Sequence, residues 1–350
     1  MGQTPKAPYI IAGPCSAESS RQVLQTARAI APLSVSLFRA GLWKPRTHPG
    51  GFEGVGAEGL PWLLSVRRET GMKVCTEVAS ASHVEACLAA GLDAVWIGAR
   101  TTANPFQVQE IARALSGSQV EVLVKNPVSP DLGLWAGAVE RLQGCNVSRI
   151  SAVHRGFTTP SPSPYRNSPL WEIGVRFRLA FPEIPFIVDP SHMAGDTAYV
   201  KELAQKGLDL GADALMLEVH YAPEAARSDA LQQLSPSQLE SLLGELVWRS
   251  AGSDDEFYLK QLEDLRTEMD RIDGDILSLL SERMQVSREI GRLKAEHHIS
   301  ILQAGRWEKV LSDLKVSAGK AGLDKDLVEK IFNIIHDYSV LEQGSSGDVS

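Results

Sequence analysis

Four residues of metal-binding type stand far apart in this 350-residue chain: Cys15, His192, Glu218 and Asp229. A thiolate, an imidazole and two carboxylates together suit a divalent first-row transition ion better than calcium or magnesium. The four cysteines (Cys15, Cys75, Cys87, Cys145) form no CxxC pair and no zinc-ribbon spacing. On spacing alone, a small buried cysteine with unrelated polar loop residues stands as an alternative. A second group is cationic: Arg39, Lys44, Arg46, Arg100, Lys125 and Arg155. Two of these flank Pro45 in GLWKPRTHPGGFEG (41–54), followed by Thr47, His48 and a glycine run. Gathered around one mouth, six cations repel one another unless anions neutralise them. Phosphorylated small molecules, held by arginine forks and lysine point charges, are the natural ligands. Taken singly, a solvated cation is the simpler reading of any one of them.

Eight short apolar, β-branched runs must position these groups. They are YIIAGPC (9–15), VSLFRAG (35–41), KVCTEV (73–78), AVWIGAR (94–100), VEVLVKN (120–126), ISAVHRG (150–156), PFIVDPSH (185–192) and ALMLEVH (214–220). Strands apolar on both faces that alternate with helices predict a parallel sheet, and eight such units predict a closed (β/α)8 TIM barrel. A doubly wound open sheet is the rival, but no GxGxxG follows the first strand. The C-terminal ends of the runs carry Cys15, Arg39, Glu77, Arg100, Lys125, His154 with Arg155, Asp189 with His192, and Glu218 with His220. That end is where a barrel builds its active site. Strands eight and one are neighbours in a closed barrel, so Cys15, His192 and Glu218 converge. Asp229, in the loop after strand eight, can swing in as a fourth ligand.

Composition narrows the partners. With 43 Asp+Glu against 35 Lys+Arg the net charge is −8, which argues against a nucleic-acid surface. It does not exclude a local cationic cleft, because clustering sets the field. No apolar run approaches the ~20 residues of a membrane span. The N-terminus lacks the apolar stretch of a signal peptide. The expectation is a cytoplasmic protein with reduced cysteines.

The period changes after RSAGSDDE (249–256). From Leu262 through Leu265, Met269, Ile272, Ile276, Leu279, Val286, Ile290 and Leu293 the apolar spacing is helical, with Arg283 at one skipped position. A helix from about Phe257 to Ala295 is on the order of 60 Å long. Shorter helices at 305–318 and 324–343 cannot cover so long a stripe, so pairing with a second chain is expected. The domain plan is a barrel at 1–249, a linker at 250–256, an all-α unit at 257–343 and a disordered tail at 344–350.

The motifs GPCS (13–16), RAGLWKPRT (39–47), IGAR (97–100), VKN (124–126), HRGF (154–157), DPSH (189–192) and LEVH (217–220) resemble 3-deoxy-D-arabino-heptulosonate 7-phosphate (DAHP) synthase of the short-barrel, type I-beta branch. The resemblance covers residues 7–250. It implies condensation of phosphoenolpyruvate with erythrose 4-phosphate, the entry to aromatic biosynthesis. Metal ligands are implied at Cys15, His192, Glu218 and Asp229, holding a divalent ion (Mn2+, with Co2+, Fe2+ or Zn2+ as alternatives). A phosphoenolpyruvate site is implied at Arg39, Lys44, Arg100, Lys125 and Arg155, with Lys44 catalytic. Arg46 and Thr47 are implied to hold erythrose 4-phosphate. His48 stands where the family usually carries Ser or Thr. The related octulosonate 8-phosphate synthase carries Asn where this chain has the Pro-Arg of KPRT, which favours the four-carbon aldose. The implied chemistry is Lewis-acid polarisation of the aldehyde, attack by carbon 3 of the enol, addition of water and loss of phosphate.

Residues 258–343 resemble the all-helical chorismate mutase class through LEDLRTEMDRID (262–273), SERM (281–284), IGRLK (290–294) and SVLEQ (339–343). Chorismate contacts are implied at Arg266, Arg283, Lys294, Arg306, Ser339 and Gln343. Arg283, Lys294 and Gln343 are the catalytic members, because charge develops on the ether oxygen during the rearrangement. Lys294 lies about 20° around the helix from Arg283, whereas Arg266 is rotated by roughly 100°, which suits reach into a partner subunit. Gln303 and Trp307 replace carboxylates common in that class, which points to weaker substrate affinity. Two functions compete for this unit: a working mutase, or a dimerising module that senses chorismate or prephenate for the barrel.

Overall fold

Runs of alternating inward and outward apolar residues form the eight strands of a closed parallel barrel in the computed structural model, which describes residues 9–44, 51–250, 252–302 and 304–345. The strands are β1 (Tyr9–Gly13), β2 (Leu37–Arg39), β3 (Lys73–Val78), β4 (Ala94–Ile97), β5 (Glu121–Lys125), β6 (Ile150–His154), β7 (Phe186–Val188) and β8 (Ala214–Glu218). Each pairs with the next, and β1 closes on β8 with Gly13 opposite Glu218. Around them run α1 (Ser20–Ile30), α2 (Leu60–Thr70), α3 (Ala81–Ala90), α4 (Ala99–Thr102), α5 (Pro105–Ala114) and α6 (Leu132–Gly144). The ring is completed by α7 (Trp171–Ala180), α8 (Pro190–Ala194), α9 (Val200–Asp209) and α10 (Pro236–Glu245).

Strand parity decides which groups face the barrel axis. Leu37, Cys75, Leu123, Val153, Ile187 and Met216 pack together inside the barrel with Trp96. Two residues further on, the same faces present Arg39, Glu77, Lys125, Arg155, Asp189 and Glu218. His154 falls on the opposite parity. It is fully buried outside the barrel wall, against Trp135, Phe157, Trp171 and Phe186. His220 also turns away, accepting the backbone N–H of Ala222 at 3.0 Å and stacking on Tyr221. The expectation that every polar strand end serves the site therefore fails for these two histidines.

Several predicted strands are shorter than their apolar runs. β7 stops at Val188, because Asp189 accepts the backbone N–H of His192 at 3.0 Å and caps α8. His192 is thus delivered by a helical turn. Arg100 likewise sits on α4 and not on β4.

The chain divides into two compact units, Met1–Gly252 and Ser253–Ser350. The second holds α11 (Glu256–Glu296), α12 (Ala304–Lys320) and α13 (Lys325–Ser345). Asp255 caps α11 by accepting the N–H groups of Phe257 and Tyr258. α13 continues to Ser345, two residues into the stretch expected to be disordered, because the helical hydrogen bonding persists through that turn. Residues 346–350 lie outside the described residues, as do Pro45, Arg46, Thr47, His48 and Gln303. Among the described residues, no helix is long and apolar enough to cross a membrane.

Candidate active sites

At the C-terminal mouth of the barrel, Arg39 is fully buried and donates to Glu218 Oε1 at 2.9 Å. Its guanidinium lies over the Trp96 ring, 4.8 Å from the centroid. Nε and Nη1 of Arg39 are buried with no hydrogen-bond partner among the described residues. Orphaned donors on a buried cation are costly, and an anion is what satisfies them. Lys125 donates to Asp189 Oδ2 at 2.8 Å. Arg155 donates to Asn167 Oδ1 at 2.9 Å, and its Nε is also an orphan. Burial, with Arg166 and Arg100 nearby, pushes the Arg155 guanidinium down to about 10, so it stays charged at neutral pH.

Lys44 reaches back over the mouth and donates to Cys15 Sγ at 3.2 Å. Gly41 makes this possible. A Cβ there would stand 2.6 Å from Lys44 Cε and 2.8 Å from the Cys15 carbonyl.

The four expected metal ligands come together as two close pairs. Cys15 Sγ lies 3.2 Å from Asp229 Oδ2, and His192 Nε2 lies 3.5 Å from Glu218 Oε1. Among the described residues, no three His, Cys, Asp or Glu side chains are grouped as a metal cage. The donor chemistry nonetheless fits a transition ion. His192 Nδ1 stands 2.8 Å from Asp189 Oδ2 and Nε2 stands 3.5 Å from Glu218 Oε1, so each ring nitrogen faces a carboxylate. Burial pulls the His192 imidazole below its ordinary value, against the carboxylates of Asp189 and Glu218, so it is neutral. Burial, reinforced by Glu218, pushes the Cys15 thiol up to about 12, so this thiol keeps its proton until a cation displaces it.

Burial alone would raise the Asp189 carboxyl, but His192, Lys125 and Arg39 outweigh it and hold its pKa well below the ordinary range. A depressed folded pKa stabilises the protein above the unfolded value, about 3.9. That contribution is lost as the pH falls through the folded value. Asp189→Asn should therefore lower the urea midpoint of metal-free protein at pH 7, and the deficit should shrink only below about pH 4. Denaturant titrations at several pH values check this. A pH-independent deficit would assign the effect to packing.

Three residues of this site carried no sequence signal: Arg166, Asn167 and Gln232. They act on other side chains. Asn167 supports Arg155 and donates to the His192 carbonyl at 2.6 Å. Gln232 donates to Glu218 Oε2 at 2.6 Å. Arg166 donates to Asp229 Oδ1 at 2.7 Å.

In the helical unit, α11 and α13 carry the second candidate site. Arg283 donates to the Ser339 hydroxyl and, at 3.5 Å, to the Ile335 carbonyl. About three turns further along α11, Lys294 donates to Gln343 Oε1 at 3.1 Å. The helices touch at Gly291, where a Cβ would stand 2.7 Å from the Gln343 backbone. Arg266 is exposed, its nearest carboxylate being Glu263 at 4.0 Å. Seventeen residues of helix put it roughly 25 Å along the axis from Arg283, so one copy of α11 cannot bring the two together. Arg306 is exposed on the first turn of α12. Trp307 stacks on His336 at 3.9 Å and donates to Asn333.

Two family models match the chain: the DAHP synthetase I family over residues 2–251 and chorismate mutase type II over residues 265–344. A phospho-2-dehydro-3-deoxyheptonate aldolase of Thermotoga maritima is 30% identical over 237 residues, covering 68% of each chain. A 2-dehydro-3-deoxyphosphooctonate aldolase of Nitratidesulfovibrio vulgaris is 27% identical over 254 residues, covering 68% of this chain and 90% of that one. Among solved structures, the Thermotoga maritima DAHP synthase superposes with a TM-score of 0.60 at 28% identity, covering 68% of this chain and 67% of the other. A truncated form of the Thermotoga enzyme gives 0.58 at 26% identity, covering 68% and 84%.

Proposed function

Because this chain belongs to the DAHP synthetase I family and carries a chorismate mutase of type II, we propose a division of labour between its two sets of side chains. The barrel condenses phosphoenolpyruvate with erythrose 4-phosphate to 3-deoxy-D-arabino-heptulosonate 7-phosphate. The helical unit rearranges chorismate to prephenate. Both are reactions of aromatic biosynthesis.

Enzymes of the barrel's family generally use a divalent metal. In our reading Cys15, His192, Glu218 and Asp229 would hold it, with Mn2+ the first choice and Co2+, Fe2+ or Zn2+ as alternatives. When bound, the ion supplies Lewis-acid polarisation of the aldehyde carbonyl. Arg39, Arg100, Lys125 and Arg155 hold phosphoenolpyruvate, and the orphaned Nε and Nη1 of Arg39 are the observation that carries this reading. Lys44, whose Nζ donates to Cys15 Sγ, can orient the enol and give a proton to the new alkoxide. Arg46 and Thr47, outside the described residues, remain our choice for the erythrose 4-phosphate phosphate. Following phosphoenolpyruvate loss and chorismate loss separately on purified protein tests the assignment. Absence of either activity sinks that half of it.

In the mutase, Arg283 and Ser339 face one end of the chorismate dicarboxylate, while Lys294 and Gln343 address the ether oxygen. Arg266 and Arg306 complete the charge set. The distance from Arg266 to Arg283 supports a site shared across a homodimer. So does the α11 stripe, where Leu265 is 69% and Leu279 63% exposed in the single chain. A cytoplasmic location agrees with four free thiols.

The two reactions are not consecutive, so direct transfer of product does not explain the fusion. Feedback does: the mutase site binds prephenate or chorismate and reports it to the barrel. Coupling of this kind amounts to about 1–3 kcal/mol, or roughly 5–150-fold in affinity. Prephenate should inhibit synthase turnover of the full chain, and a chain truncated after Ser250 should escape this inhibition. Equal inhibition of both would place the sensor elsewhere.

A further inference from the structure

Of the four proposed metal ligands, Asp229 is delivered by the loop after β8 and not by a strand or helix. It sits in a loop, in the left-handed region at φ 49°, a conformation that aspartate tolerates but does not prefer. Its Oδ2 faces Cys15, so something must hold the other oxygen to keep that orientation. Arg166 does so. Its Nη1 donates to Asp229 Oδ1 at 2.7 Å and to Gln232 Oε1 at 2.9 Å. Gln232 passes the constraint on through its 2.6 Å hydrogen bond to Glu218 Oε2.

The backbone of Arg166 is fixed to the segment that carries His192. The Arg166 N–H donates to Ala194 O at 3.1 Å and the Asn167 N–H to Met193 O at 3.0 Å. The stem of Arg166 packs over Gly195, where a Cβ would come within 2.5 Å of it. One residue, through its backbone and its side chain, thus ties together the supports of His192, Glu218 and Asp229. Half-exposed ion pairs usually contribute little to stability. Here the acceptor carboxylate is mostly buried, with 17% side-chain exposure, and a single guanidinium nitrogen, Nη1, serves two acceptors at once.

We propose that Arg166 is a positioning residue, which holds Asp229 and, through Gln232, Glu218 in the arrangement that receives the metal. The inference rests on the reading of Asp229 as a ligand. Outer residues that orient metal ligands typically contribute 10–100-fold in affinity.

The test uses full-length, metal-stripped protein titrated with Mn2+, with free Mn2+ measured by its paramagnetic resonance. Arg166→Leu should weaken binding about 10–100-fold, with mutase turnover unchanged and the melting temperature of the metal-free protein within a few degrees of wild type. Arg166→Lys should recover only part of the loss, because it keeps the charge on a shorter side chain that does not reach both acceptors as Nη1 does. Unchanged or tighter binding in Arg166→Leu, with weakened binding in Asp229→Ala, overturns the inference and leaves Asp229 a ligand. Unchanged binding in Asp229→Ala overturns the ligand reading itself. Should Arg166→Leu not fold, Gln232→Met decides: several-fold weaker binding supports the relay, and wild-type affinity overturns it.

Discussion

Exhaustive chelation is expected to lower heptulosonate phosphate formation by at least about a thousandfold while prephenate formation continues at its original rate. Lewis-acid polarisation is worth several kcal/mol, and each ~1.4 kcal/mol is a factor of ten. The rearrangement of chorismate needs only fixed charges, supplied by Arg283 and Lys294, and so has nothing to lose. Cys15→Ala should mimic chelation, since it deletes the softest donor and also the acceptor of the Lys44 hydrogen bond. Because the metal-free thiol is protonated, reloading the ion should release protons, and affinity should rise with pH. Parallel assays of both activities, with metal content verified by elemental analysis, check the result. Full synthase turnover in metal-free protein would sink the ligand set.

Arg283→Ala should lower mutase kcat about 10²–10³-fold, the usual cost of removing one preorganised charge from an anionic transition state. Folding should hardly suffer. Burial pulls the Arg283 guanidinium below its ordinary value, so deleting this charge removes a desolvation cost as well as an interaction. Synthase turnover should be unaffected. If the variant becomes monomeric or unfolds while retaining mutase turnover, Arg283 is a structural residue.

The barrel was legible because strand period and strand count are local signals that add up along the chain. The same alternation, applied one residue at a time, also separates Arg155 from His154. The cruder rule that strand ends are functional did not, and it misplaced both His154 and His220. Helix boundaries in the second unit came out within a few residues, since a long 3.6-residue period leaves little freedom. Arg166, Asn167 and Gln232 were invisible for a physical reason. Their roles are defined by partners up to 66 residues away in sequence, and no local pattern records such contacts. His192 was placed at the end of the seventh run, PFIVDPSH, whereas the capping carboxylate of Asp189 turns the chain into a helix just after Val188.

The buried pair of Arg39 and Glu218 also bears on how the protein is made. Arg39 lies in the second strand to leave the ribosome and Glu218 in the last, and the two meet only when β8 docks beside β1. Until then the nascent chain carries a guanidinium whose burial without a counter-charge costs several kcal/mol. The early strands therefore cannot seal their own interior prematurely, and Arg39 stays hydrated until β8 arrives. Arrival of Glu218 removes that obstacle in one step. Ring closure becomes a late, cooperative event of the barrel, timed by the arrival of β8.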